Sequence, residues 1–246
     1  MACRTFLLKL DRAGLICLPA RKRKPTNAFR NRSITDIPHI KDPICCDLQK
    51  LLPLNITPIL QKTVELSLFK CLLAKYHYLG FRNTVGENFK YLISDVQGRP
   101  LGCLLFGSTA WKCAARDNFI GWDRRAREAN LGFTTNNTRF LILPWVSVPN
   151  LASHILSLIC KRLSFDWSHK YGHPIYLVET FVDRSRYKGT CYQAANWVLT
   201  GQTQGRTRND RHRTINATVK DAYVYPLTKK MHPQLCRVSA NHLEDI

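Results

Sequence analysis

Glu179 and Asp183 stand four residues apart in the apolar run PIYLVETFVD, Pro174 to Asp183. An even spacing puts two side chains on one face of a strand, provided the strand persists to Asp183. Two such carboxylates suit a divalent metal such as Mg2+, which would align a water or a 3'-hydroxyl for attack on a phosphodiester. A third ligand would have to come from elsewhere, with Asp117, Asp123 and Asp166 available. The same residues also have a plainer role: Glu179 pairs with a buried arginine and Asp183 caps the turn that follows.

Three further residues carry groups able to move protons. Tyr192 and Asn196 lie in GTCYQAANW, Gly189 to Trp197, where Cys191, Ala194 and Ala195 form a small face for close packing on a sheet. Tyr192 would donate a proton and Asn196 orient a substrate; equally, Tyr192 and Trp197 hydrogen-bond inside the core. Cys191 has no histidine near it in the sequence, so a packing thiol fits it better than a nucleophile. His77, between Tyr76 and Tyr78, combines acid-base and stacking groups at a helix end, where aromatic residues also serve as core anchors.

The loop TGQTQGRTRNDRHR offers different chemistry. Arg206, Arg208, Arg211 and Arg213 alternate with small polar residues, while Gly201 and Gly205 let the backbone approach a ligand. Guanidinium forks match phosphate oxygens. Seven basic residues between Arg184 and Arg213, Lys188 among them, face Asp210 alone as an acid. Across the 246 residues, 37 Lys and Arg oppose 17 Asp and Glu, a net charge of +20. Such an excess favours a polyanion, because each neutralised phosphate releases a counterion whatever the base sequence. Nucleic acid, DNA before RNA, is the expected partner. No run reaches the roughly 18 apolar residues of a membrane helix, so no membrane partner is expected. Ten cysteines without a C-x-x-C pair read as thiols of a reduced, cytoplasmic chain.

These residues need elements to position them. ACRTFLLKLDRAGLICLP reads as a helix and a short strand, a partial winged-helix-like segment over 1–19. The stretch 20–55 opens with Arg, Lys, Pro and Asn and reads as a basic linker. The α/β domain is expected over 56–230 and a C-terminal tail over 231–246. Within that domain the apolar period predicts a helix from Ile59 to Leu79 ended by Gly80, and a hairpin, NFKYLISDVQGRPLGCLLFGSTAW, turning at Gln97 to Pro100. A polar insert follows, with a short helix between Asp123 and Leu131. Then come a strand from Arg139 to Val148, a helix from Leu151 to Gly172, the strand bearing Glu179, the helix bearing Tyr192, the strand VLTGQT, the arginine loop and a last strand, DAYVYPL. This order predicts a mixed β-sheet flanked by helices.

In order and element length the pattern resembles the GNAT (Gcn5-related N-acetyltransferase) fold. That family's coenzyme A pyrophosphate rests on a Gly-rich turn before a helix. The matching turn here, WVSVPNLASHI, has no glycine and carries Pro149, which argues against an acetyl-CoA site and leaves only a divergent acyltransferase as a reading. The words YHYLG, VGENFKYLI, ARDNFIGWD, NNTRFLILPWVSVPNLASHIL, DWSHKYGHPIYLVETFVD, GTCYQAANW, GQTQGRTR and VYPL, in order over about residues 60 to 230, resemble the DruA family of the Druantia anti-phage system. The resemblance implies a bacterial defence or mobile-element context, with other defence-system proteins as partners, and assigns no catalytic residues.

Overall fold

The structure is a computed structural model that describes residues 3–19, 35–60, 63–81, 84–205 and 218–237. The chain divides into two units, Met1–Ile34 and Thr35–Ile246. In the first, α1 (Cys3–Arg12) ends before Gly14, whose φ of 70° closes the helix. Asp11 accepts from the Leu18 backbone N–H at 2.9 Å. The expected strand is absent: the described residues after α1, through Pro19, form no ladder.

The second unit is built on a seven-stranded mixed sheet. Its strands are β2 (Asn55–Pro58), β3 (Phe89–Ser94), β4 (Pro100–Ser108), β5 (Thr134–Ile142), β7 (Leu177–Asp183), β8 (Val198–Gln202) and β9 (Lys220–Pro226), in the order β2-β3-β4-β5-β7-β9-β8. Only β5 and β7 run parallel in that sheet. The remaining strands, β1 (Ile44–Cys45) and β6 (Val146–Ser147), form a separate parallel pair. The helices are α2 (Val64–Tyr76), α3 (Ala114–Ile120), α4 (Arg124–Asn130), α5 (Leu151–Tyr171), α6 (Thr190–Ala194) and α7 (Met231–Cys236).

The hairpin forms where the turn residues predict it: Gly98 takes φ 77°, and Asp95 accepts from the Gln97 and Arg99 backbones. β4 is buried along all but its last residue, as a central strand covered on both faces must be. Along β7, alternation sends Leu177 one way, into a core with Ile120, Trp122, Ala126 and Leu235, and Val178 and Val182 the other way, into the larger core that holds α5. In that larger core Phe89 and Tyr91 pack under α5, where Tyr91 donates to Asp166 at 2.7 Å and Asp166 also binds Arg162.

Several elements differ from the sequence expectation. Ile44 and Leu51, inside the expected linker, are buried core residues. The helix ends at Tyr76, with His77 as its extended C-cap, so Gly80 closes a turn three residues on. The insert contains a second helix, α3. The strand expected from Arg139 starts at Thr134 and stops at Ile142. Residues 231–236, expected to be tail, form α7, whose Met231 and Leu235 are buried.

Candidate functional site

β5 and β7 pair over only three residues each, Thr134 to Asn136 against Leu177 to Glu179. Beyond that point each strand follows its other neighbour. β5 continues along β4 to the pair Gly102 with Ile142, and β7 continues along β9 to the pair Asp183 with Lys220. An extra residue, Thr138, interrupts the β4–β5 register and bends β5. The sheet therefore splits into a wedge, and a cavity of about 520 Å³ opens between the diverging strands.

Side chains close the vertex of the wedge. Thr180 donates to the Asn137 backbone carbonyl at 3.0 Å, and Tyr192 donates its hydroxyl to Asn137 Oδ1 at 2.9 Å. Asn137 Nδ2 reaches the carbonyls of Leu105 and Arg139, and the Thr138 hydroxyl reaches Leu105 as well. These bonds occupy backbone groups that a continuous ladder would otherwise satisfy.

Of the residues singled out by sequence, His77, Asp183, Tyr192 and Lys188 all line this cavity; Glu179 does not. Tyr192 is buried, ring-stacked on Tyr223 and edge-on to Trp197, and burial pushes its hydroxyl pKa well up. His77 accepts from the Leu79 N–H at 3.1 Å and stacks on Tyr78. Burial, then the nearby Arg139 guanidinium, lowers its pKa to about 4, so the ring is neutral at pH 7. Asp183 accepts from both the N–H and the hydroxyl of Ser185, which hold its carboxyl below the usual range, and from Thr218. Lys188 is exposed and makes no hydrogen bond or ion pair among the described residues. Cys191, another lining residue, has its thiol pKa raised by burial.

Glu179 instead meets α3 and the residues just after β4. It is 1 % exposed and accepts from the Ala110 N–H at 2.7 Å, from the Thr109 hydroxyl, and from Arg116 Nη1 at 3.0 Å. Burial pushes its carboxyl up, and Arg116 opposes that. Arg116, itself fully buried, also binds Asp117 at 2.7 Å. The paired-carboxylate geometry expected for a metal does not form. Four strand residues at about 3.3 Å each hold Glu179 and Asp183 roughly 13 Å apart along β7, and the two share no partner among the described residues. Asp123 caps α4 through the Ala126 N–H, and Asp166 is held by Tyr91 and Arg162. Among the described residues no group of three or more His, Cys, Asp or Glu is placed to hold a metal ion.

Sequence reasoning missed most of the cavity wall. Asn136, Asn137 and Arg139 lie in or beside the polar run that follows the hairpin, and Tyr187 lacks any motif, whereas Tyr78 was legible as a stacking group beside His77. At the mouth Tyr78 and Tyr187 have ring centroids 5.6 Å apart, and the Arg186 guanidinium lies 5.2 Å from the Tyr78 ring. Lys220 lines this cavity and a second one of about 450 Å³, whose walls include Lys112, Gln202, Gln204 and Thr218. Arg206, Arg208, Arg211 and Arg213 lie outside the described residues. The flanking Gln204 and Thr218 are both walls of that second cavity. No described helix is long and apolar enough to cross a membrane.

Solved structures with a similar course are spermidine N-acetyltransferases of Vibrio cholerae. A point mutant of that enzyme shares 9 % identity over 72 % of this chain and 95 % of that one, at a TM-score of 0.45. The enzyme in complex with manganese ions shares 10 % over 72 % and 96 %, at 0.44. The enzyme in complex with CoA and spermine shares 10 % over 69 % of this chain and 92 % of that one, at 0.42. These likenesses are too loose to say anything of this chain's chemistry. No curated protein matches the sequence. The family described as Druantia protein DruA, in contrast, matches residues 9–232, nearly the whole length over which the sheet, its wedge and their flanking helices are built, and the chain belongs to that family.

Proposed function

We propose that this chain acts in anti-phage defence, or in a mobile element of related origin, by binding nucleic acid, DNA before RNA. The observation that carries the reading is the concentration of cations at one end of the sheet. Arg184, Arg186, Lys188 and Lys220 gather where β7 ends and β9 begins, and in the sequence the four arginines of 206–217 fall between β8 and β9. The acids there are few and already engaged: Asp183 by Ser185 and Thr218, Asp221 by Gln202 at 3.3 Å and Arg184 at 3.6 Å. A net charge of +20 supports a polyanionic partner. The tyrosine pair at the cavity mouth adds faces on which bases stack.

The test is a gel shift with duplex and single-stranded DNA and with RNA across a salt series. Wild type is compared with a quadruple variant in which Arg206, Arg208, Arg211 and Arg213 are all changed to Ala, and with Lys188→Ala. If the four arginines each meet a phosphate, the slope of log affinity against log salt falls by about three to four on duplex DNA. Equal affinity and equal slope in wild type and the quadruple variant would overturn the assignment to that loop. Absence of any shift would overturn the reading as a whole.

A further inference from the structure

The turn that follows β7, DRSRYKG from Asp183 to Gly189, presents an aromatic ring among cations. The Asp183 carbonyl accepts from the Arg186 and Tyr187 N–H groups at 3.0 and 2.9 Å, its carboxylate accepts from Ser185, and Gly189 holds φ 72°, so the turn is braced at both ends. Tyr187 is 53 % exposed. Among the described residues its hydroxyl makes no hydrogen bond, and the ring it meets is Tyr78, itself 38 % exposed. Single exposed apolar residues are ordinary, but two rings in contact on a surface mark a place of interaction. Cations surround them. Arg184, Arg186 and Lys188 flank Tyr187 in the turn, and Arg139, Lys188 and Lys220 line the wedge cavity behind it. The Arg139 guanidinium is set by the Gly80 and Thr138 carbonyls at 3.0 and 2.6 Å, neutral acceptors that leave its charge in place. Asp183, the one carboxylate that lines the cavity among the described residues, is engaged by Ser185 and Thr218. Phe181 and Lys220 line the second cavity as well, so the two cavities adjoin, and the second brings Lys112.

Cations alone serve any phosphate backbone. Exposed ring faces serve a narrower partner, because in a duplex each base face is covered by its neighbours, whereas in an unpaired strand the faces are free to stack on aromatic side chains. We propose that this surface is a groove for an unpaired nucleic-acid strand, with a base stacked at Tyr187 and Tyr78 and the backbone phosphates at Lys188, Lys220 and Arg139. The proposal rests on the nucleic-acid reading above and names the form of that partner: the arginine loop meets phosphate, and the tyrosines select a strand whose bases are exposed. Tyr78 has His77 stacked at 4.8 Å and the Arg186 guanidinium at 5.2 Å, so the freer ring, Tyr187, carries the test. Unpaired DNA and unpaired RNA share this chemistry, and the experiment separates them.

Fluorescence anisotropy of the full chain with labelled probes of equal length reads the groove: single-stranded DNA, the RNA of the same sequence, the DNA duplex, and a single strand of abasic deoxyribose phosphate. The abasic strand keeps the phosphates and lacks the base faces. Wild type should bind the base-bearing DNA or RNA strand about five- to 150-fold more tightly than the abasic one for each stacked base, and the tighter of the two names the source. Tyr187→Ala should remove that advantage and weaken the base-bearing strand far more than the duplex, while Tyr187→Phe, which keeps the ring face, should retain it. Lys188→Ala should lower the slope of log affinity against log salt on the single strand by about 0.7 and leave the ratio of base-bearing to abasic affinity unchanged. The proposal is overturned if the abasic strand binds as tightly as both base-bearing strands, if Tyr187→Ala weakens the duplex as much as the single strand or weakens neither, or if Tyr187→Phe behaves as Tyr187→Ala. Binding of duplex and abasic strand with no advantage for exposed bases sinks this inference and leaves the nucleic-acid reading standing. Absence of binding to every probe sinks both.

Discussion

Replacing Arg116 by Met tests whether Glu179 is a structural charge. Arg116 is fully buried and supplies the only guanidinium that Glu179 meets among the described residues, at 3.0 Å. Met keeps much of the volume and removes the cation, leaving a 1 % exposed carboxylate without a counter-charge. Removing one partner of a buried pair costs about 3–5 kcal/mol. The low end applies, because Thr109 and Ala110 still donate to Glu179, while Asp117 keeps Trp122 Nε1 at 3.0 Å and Cys113 N at 3.2 Å. At roughly 2–4 °C per kcal/mol for a chain of this size, a loss of about 3 kcal/mol lowers Tm by about 6–12 °C. The pH dependence carries the sign. Burial already holds the Glu179 carboxyl above its ordinary 4.5, and loss of Arg116 removes an influence that lowers it. A carboxyl whose folded pKa exceeds its unfolded value favours the folded state at low pH, and that benefit is lost as pH rises through the folded value. Thermal unfolding should therefore show a smaller deficit at pH 5 than at pH 8, and adding Glu179→Leu should recover most of it. A deficit under about 1 kcal/mol, or one equal at both pH values, or a double variant no better than the single one, would refute the reasoning.

Gly189 holds φ 72°, and a Cβ there would lie 2.7 Å from the Tyr223 hydroxyl, so Gly189→Ala should cost about 1–3 kcal/mol in chemical denaturation. Tyr192→Phe strands the buried Asn137 Oδ1 at the wedge vertex and should cost about 1–3 kcal/mol by the same measure. An NMR titration of His77 should give a midpoint near 4. Since that value lies below the unfolded 6.5, the neutral ring's contribution to stability is present above 6.5 and is lost as pH falls through 4.

The elements read most easily from sequence were those whose period and punctuation agree. The β3–β4 hairpin had its Gly98 turn, α5 had its terminal Gly172 in the left-handed region, and β7 was a largely apolar run interrupted by Glu179 and Thr180. The start of β5 was not legible, because TTNNT has the composition of a loop. Its polar side chains are consumed by the backbone: Thr135 reaches the Gly107 carbonyl at 2.8 Å, and Asn137 and Thr138 reach Leu105. Even spacing did place Glu179 and Asp183 on one strand, yet spacing says nothing of distance along it, or of Arg116, 63 residues away. His77 and Tyr192 were chosen separately for their chemistry, and only the divergence of β5 from β7 brings them to one cavity.

That divergence explains why the cavity is polar at its vertex and aromatic on its walls. Where two paired strands part, each exposes a row of N–H and C=O groups that must find partners. Here the outer neighbours β4 and β9 keep one side of each strand, and Thr180 and Asn137 bridge the inner sides at the point of parting. Tyr192 then fixes the Asn137 amide by its hydroxyl, and its ring becomes a wall, so one residue serves both the seal and the lining. Every polar atom named at the vertex is thereby committed except Asn136 Oδ1, one residue before the split.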